Sequence, residues 1–235
     1  TAARGTKTPT GIAMRVSAHD FPDGAALADA LATLVAKRLD IAIATRGAAS
    51  FAVSGGRTPV RFLEALATKP LAWGRVTVTL VDERWVPASS ERSNERLVRT
   101  HLLRDHAAAA RFVPLVRGGA TPEADRDAAE SALAGVPWPL AVAVLGMGDD
   151  GHTASFFPGG DRLDACLDPH SKRRVETLRA PAAGEPRLTL TLPALLASCA
   201  ILLHIEGASK IATLERARAG GPEADMPIRA VLARS

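Results

Sequence analysis

Tyrosine is absent from this chain, and six Phe and three Trp are its only other aromatics. A surface that grips nucleic acid by stacking bases on interleaved rings is therefore poorly provided for. Cysteine is almost as scarce. Cys166 and Cys199 stand far apart, with no Cys-x-x-Cys and no paired histidine spacing, which argues against both a disulfide framework and a zinc site. Two reduced thiols in a cytoplasmic protein are expected. No apolar run approaches the roughly 20 residues that span a bilayer; the most apolar stretches, residues 140–147 and 200–205, are strand-length. Residues 1–11 are polar and lack an apolar core, so they read as a flexible tail rather than an intact signal peptide. The net charge of +4 is scattered along the chain rather than gathered in a basic stripe. That balance fits a small anionic substrate at least as well as a nucleic acid, and neither a nucleic-acid nor a membrane partner is expected. Oligomeric state is left open, with a monomer favoured.

The 235 residues suffice for a well-buried α/β unit, and residues 12–235 read as one catalytic domain. Leu27, Leu31, Leu34, Val35 and Leu39 recur at helical steps after Pro22-Asp23. Strands are expected at residues 50–53, 76–81, 112–116, 140–145, 188–192 and 200–205. Helices are expected after Thr58-Pro59, with Thr58 as N-cap, after Ser93, over 122–133 and over 209–217, with a short helical turn after residue 151. Strands alternating with helices imply a mostly parallel sheet covered on both faces, a Rossmann-like open sandwich. Ligands bind such sheets beyond the carboxyl ends of the strands. Three polar clusters fall there, each directly after an expected strand.

The first is Ser54-Gly55-Gly56-Arg57-Thr58-Pro59. Its glycines admit a close ligand, and the following helix aims free N–H groups at it, a way to hold phosphate without a metal. A plain turn with a helix cap reads equally well. The second, Asp82-Glu83-Arg84, puts charge where a buried strand emerges, which is costly unless the charge is paired or used. Asp82 and Arg84, two apart, share one side of an extended chain. Arg84 would then stabilise an oxyanion while Asp82 accepts a sugar hydroxyl; a surface salt-bridge cluster is the alternative. In the third cluster Gly146, Gly148 and Gly151 formally match the dinucleotide fingerprint. Asp149 and Asp150 would repel a pyrophosphate, however, and Pro158 cuts the following helix short. The same loop offers His152 as a general base, with Asp150 orienting it. Arg187 and Lys210 either hold phosphate or are solvated surface charges. No Gly-x-Ser-x-Gly elbow is present, which disfavours a covalent serine route.

Taken in order, these clusters resemble the 6-phosphogluconolactonase family. The resemblance rests on Ser54 to Pro59, Asp82 to Pro87 with Ser93-Asn94, the block Gly146-Met147-Gly148-Asp149-Asp150-Gly151-His152-Thr153-Ala154-Ser155-Phe156-Phe157-Pro158, Arg187 to Thr191, and Glu206-Gly207-Ala208-Ser209-Lys210. It implies hydrolysis of 6-phospho-D-glucono-1,5-lactone with no metal and no organic cofactor. His152 would activate water, and Arg84 would serve as electrophilic partner. Ser54, Gly55 and Gly56, with Arg187 or Lys210, would hold the 6-phosphate, and Thr58, Asp82 and Gly148 would line the site. The related glucosamine-6-phosphate deaminases carry Asn-Glu-Pro where this chain has Phe156-Phe157-Pro158, which argues against deaminase chemistry. A sugar-phosphate sensor without turnover is a third reading.

Overall fold

The computed structural model describes residues 17–234; the tail expected at residues 1–11 lies outside them. The first helix, α1 (Gly24–Arg46), opens on Asp23, whose carboxylate accepts from the amides of Ala25 and Ala26, and closes on left-handed Gly47. Its buried stripe is largely alanine, with Val35, Leu39 and Ile43. Leu34, expected on that stripe, faces solvent. The small alanines let α1 lie close on its neighbours, and their period displaces that of the leucines. Then follow β1 (Ala49–Val53), α2 (Val60–Ala67) and β2 (Val76–Leu80), with both strands wholly buried.

A five-stranded parallel sheet in the order β4-β2-β1-β5-β8 forms the frame, with β4 (Arg111–Val113), β5 (Val142–Leu145) and β8 (Ile201–Leu203). From β1 the chain steps through α2 toward β2; from β5 it steps the other way, toward β8. Right-handed crossovers in opposite directions lie on opposite faces, and the direction reverses between β1 and β5. That is a topological switch point, where the loops after neighbouring strands diverge and leave a crevice.

The sheet is not the whole frame. Asp82-Glu83-Arg84, expected as a strand-end cluster, is itself a strand, β3 (Asp82–Arg84). It joins β7 (Arg187–Leu190) and β6 (Val175–Leu178) in a three-stranded antiparallel sheet, so the strand expected at residues 188–192 is not part of the parallel one. Three further helices are short: α5 (Leu163–Leu167), α6 (Leu192–Leu196) and α8 (Ile228–Leu232). The longer α3 (Asn94–His101), α4 (Pro122–Leu133) and α7 (Ala208–Arg218) complete the fold. No helix among the described residues is long and apolar enough to cross a membrane.

Candidate active site

The carboxyl ends of β1, β2, β5 and β8 open into a cleft of about 350 Å³. At the switch point, Ser54 Oγ accepts from the amide of Gly146 at 3.3 Å and ties the two diverging loops together. Gly56 has φ +97°, which permits its turn. The loop does not cap α2 as expected: Pro59 occupies the N-cap position without a side-chain hydrogen bond. Thr58, released from capping, lines the cleft instead.

On the next strand, β3 separates its side chains as a strand must. Asp82 and Arg84 line the cleft, and Glu83 is buried on the other side. The Glu83 carboxylate accepts from the amides of Arg84, Asn94 and Glu95 and from Ser93 Oγ. Burial pushes its pKa up, and those hydrogen bonds oppose the shift. Glu83 thus caps the first two amides of α3 from the preceding strand, while the Ser93 amide donates to the carbonyl of Ser90. It fixes the start of α3, so that Asn94 reaches back with Nδ2 to the carbonyl of Asp82 at 2.8 Å. Asp82 accepts from Ser155 Oγ at 2.7 Å.

Arg84 pairs in register with Arg187 across β3 and β7. Arg84 donates to the carbonyl of Arg92 at 2.6 Å, and Arg187 to that of Ala183 at 2.6 Å. Burial pulls the Arg187 pKa down, the nearby Asp82 raises it, and Arg84 opposes it as a like charge. Its Nε is buried without a hydrogen-bond partner. Two guanidiniums held side by side, one with an unsatisfied donor, form an anion-attracting wall.

Facing this wall is the loop of residues 146–157. His152 Nδ1 lies 2.6 Å from Asp150 Oδ1, which also accepts from the His152 amide at 3.0 Å. The hydrogen bond from His152 holds the Asp150 carboxyl down at about 2, against the opposing effect of burial. With Asp150 ionised, the network assigns the hydrogen to Nδ1 and leaves Nε2 with its lone pair. The imidazole stacks on Phe157 at 4.2 Å between centroids, and the Arg187 guanidinium lies 5.3 Å from the centre of the same ring. The helical turn expected after residue 151 does not form. Ala154 takes φ +51°, and a bridge between Thr153 and Phe156 holds an irregular loop. A non-glycine residue at positive φ stores strain, here beside the histidine.

At the far side, Lys210 sits in the first turn of α7, with Nζ 2.9 Å from Asp149 Oδ1. Lys210 is therefore neither free for phosphate alone nor simply solvated.

The sequence model of the family described as glucosamine-6-phosphate isomerases/6-phosphogluconolactonase matches residues 22–235. The chain belongs to this family. It is 54% identical over 222 residues to the 6-phosphogluconolactonase of Rhizobium meliloti, covering 94% of this chain and 96% of that one. The 6-phosphogluconolactonase of Pseudomonas aeruginosa is 48% identical, with 96% and 93% covered. In structure, the crystallised 6-phosphogluconolactonase of Shewanella baltica superposes with a TM-score of 0.89 at 41% identity, over 92% of this chain and 91% of that one.

Within this glucosamine-6-phosphate isomerase/6-phosphogluconolactonase frame, ten residues picked from sequence line one cleft: Ser54, Gly55, Gly56, Thr58, Asp82, Arg84, Gly148, His152, Arg187 and Lys210. Asp150 stands behind His152 rather than in the wall. Among the lining residues that went unassigned as site residues are Asn94, Phe157, His204 and Glu206. Asn94 and Phe157 gave no separate signal, since their places depend on Glu83 and on the irregular loop. Glu206 did carry one, a charge directly after the strand expected at residues 200–205, the pattern that singled out Asp82.

Proposed function

We infer that this chain hydrolyses 6-phospho-D-glucono-1,5-lactone to 6-phosphogluconate in the oxidative pentose phosphate pathway. The observation that carries the reading is the Asp150–His152 pair at 2.6 Å in a cleft that also holds Arg84 and Arg187. Nε2 of His152 takes a proton from water as the oxygen attacks the lactone carbonyl. The tetrahedral oxyanion is stabilised by Arg84, which the Arg92 carbonyl holds in position. Collapse breaks the bond to the ring oxygen, which takes the proton back from His152. Asp150 fixes the ring tautomer and stabilises the transient imidazolium.

Phosphate binding falls to Gly55, Gly56 and Thr58 together with Arg187, whose unsatisfied Nε supports that role. Lys210 contributes second, because Asp149 already neutralises it. Asp82 keeps one carboxylate oxygen for a sugar hydroxyl while the other holds Ser155. Gly148 serves by its lack of a side chain. Both sheets supply the cleft, which supports residues 12–235 as one catalytic unit acting as a monomer. Two unpaired cysteines suit a cytoplasmic setting. The deaminase reading is opposed by Phe157, an apolar ring against His152 where that chemistry uses a carboxylate.

The test generates the lactone in situ, with chelator present, and follows its loss against the spontaneous rate. Strong acceleration is expected. No acceleration, with ammonia released from glucosamine 6-phosphate, would replace the reading by deamination.

A further inference from the structure

On the β8 side of the cleft, Glu206 leaves the strand beside His204, and neither belongs to the machinery above. The His204 side chain is only 3% exposed, and both ring nitrogens are buried without a hydrogen-bond partner. Its ring stands edge-on to Phe62 at 6.2 Å, and its amide donates to the carbonyl of Leu145. Glu206 Oε1 lies 3.4 Å from Nε2, so the ring faces this carboxylate. Burial lowers the His204 pKa, and the Glu206 carboxylate opposes that shift. Glu206 itself is 35% exposed. Its Oε2 is packed so tightly on Gly24 that a Cβ there would lie 2.6 Å away. That contact puts the carboxylate at the N-terminal, positive end of the 23-residue α1.

A carboxylate in the wall of a cleft for a phosphorylated substrate needs a reason, because it repels phosphate. The other carboxylates here are engaged: Asp82 with Ser155, Asp150 with His152, Asp149 with Lys210. The cations Arg84 and Arg187 lie on β3 and β7, and Lys210, four residues after Glu206, is already held by Asp149. The polyol part of the substrate has only hydroxyls to offer, and a hydroxyl donates well to a carboxylate. We propose that Glu206 is a specificity-determining residue that accepts a hydrogen bond from a ring hydroxyl of the lactone, and that His204 is the positioning residue that orients it. The proposal rests on the lactonase reading and deepens it by assigning a carboxylate of the cleft wall to the substrate's hydroxyls.

The test compares kcat and KM of the full chain with its Glu206→Ala, Glu206→Gln and His204→Asn variants. Substrates are 6-phosphogluconolactone and its 2-, 3- and 4-deoxy counterparts. Glu206→Ala is expected to lower kcat/KM on the full substrate by about 10- to 100-fold, the span for a hydrogen bond to a charged group, chiefly through KM. On one deoxy lactone that loss should shrink to near unity. Glu206→Gln, which keeps an acceptor, should recover part of it, and His204→Asn should show a smaller loss with the same deoxy signature. Equal losses on all the lactones, or no loss, would overturn the proposal. A wild-type chain inert toward every lactone would instead overturn the lactonase reading. Glu206 would then be tested by calorimetry with 6-phosphogluconate, where Glu206→Ala must weaken binding and unchanged affinity refutes the proposal.

Discussion

A methyl group at position 148 would lie 2.1 Å from His152 Nδ1 and 2.5 Å from Asp150 Oδ1. Gly148 is thus required by the pair it makes room for, rather than by any ligand it touches. Gly148→Ala should lower kcat by about 10²-fold or more, within the range for losing a positioned general base, while circular dichroism keeps the native fold. Wild-type turnover would mean that the Asp150–His152 contact is dispensable. Asp150 also carries a pH signature. Its folded pKa of about 2 lies below the ordinary 3.8, so the stability it contributes is complete above 3.8 and is lost as pH falls through about 2. The difference in unfolding stability between wild type and Asp150→Asn should therefore be steady near pH 6 and vanish toward pH 2. A difference unchanged down to pH 2 would deny the coupling.

Elements were legible where their signals are local. The helix expected at residues 122–133 has those bounds, because Thr121 caps it and Pro122 fixes its first turn. Two strands, β3 and β6, were hidden because each carries buried charge that only tertiary partners satisfy. Glu83 is met by the start of α3, and Glu176 by Arg126 at 3.2 Å. A linear reading takes such charges for strand ends or surface. The α3 arrangement can be tested directly. Glu83→Ala leaves three amides and a hydroxyl without their acceptor, and should cost about 2–4 kcal/mol in urea unfolding. It should also raise KM, since Asn94 lines the cleft. A stability within about 0.5 kcal/mol of wild type, the size of an ordinary surface change, would refute the role.

At the scale of the whole molecule, the site lies where the doubly wound sheet reverses direction, between β1 and β5, and a small antiparallel sheet closes one side with two arginines. The parallel frame and its carboxyl-end clusters could be read from strand–helix alternation. The second sheet could not, because β3 is three charged residues long and pairs with a strand about 100 residues later. The account's central claim is that His152, held by Asp150 at that reversal, is the base that opens the lactone. It is tested most directly by single-substrate kinetics of His152→Ala on lactone generated in situ. Under this account kcat falls by about 10²–10⁴-fold while calorimetric affinity for 6-phosphogluconate stays close to wild type. Turnover within a few-fold of wild type would contradict it and move the base elsewhere in the cleft.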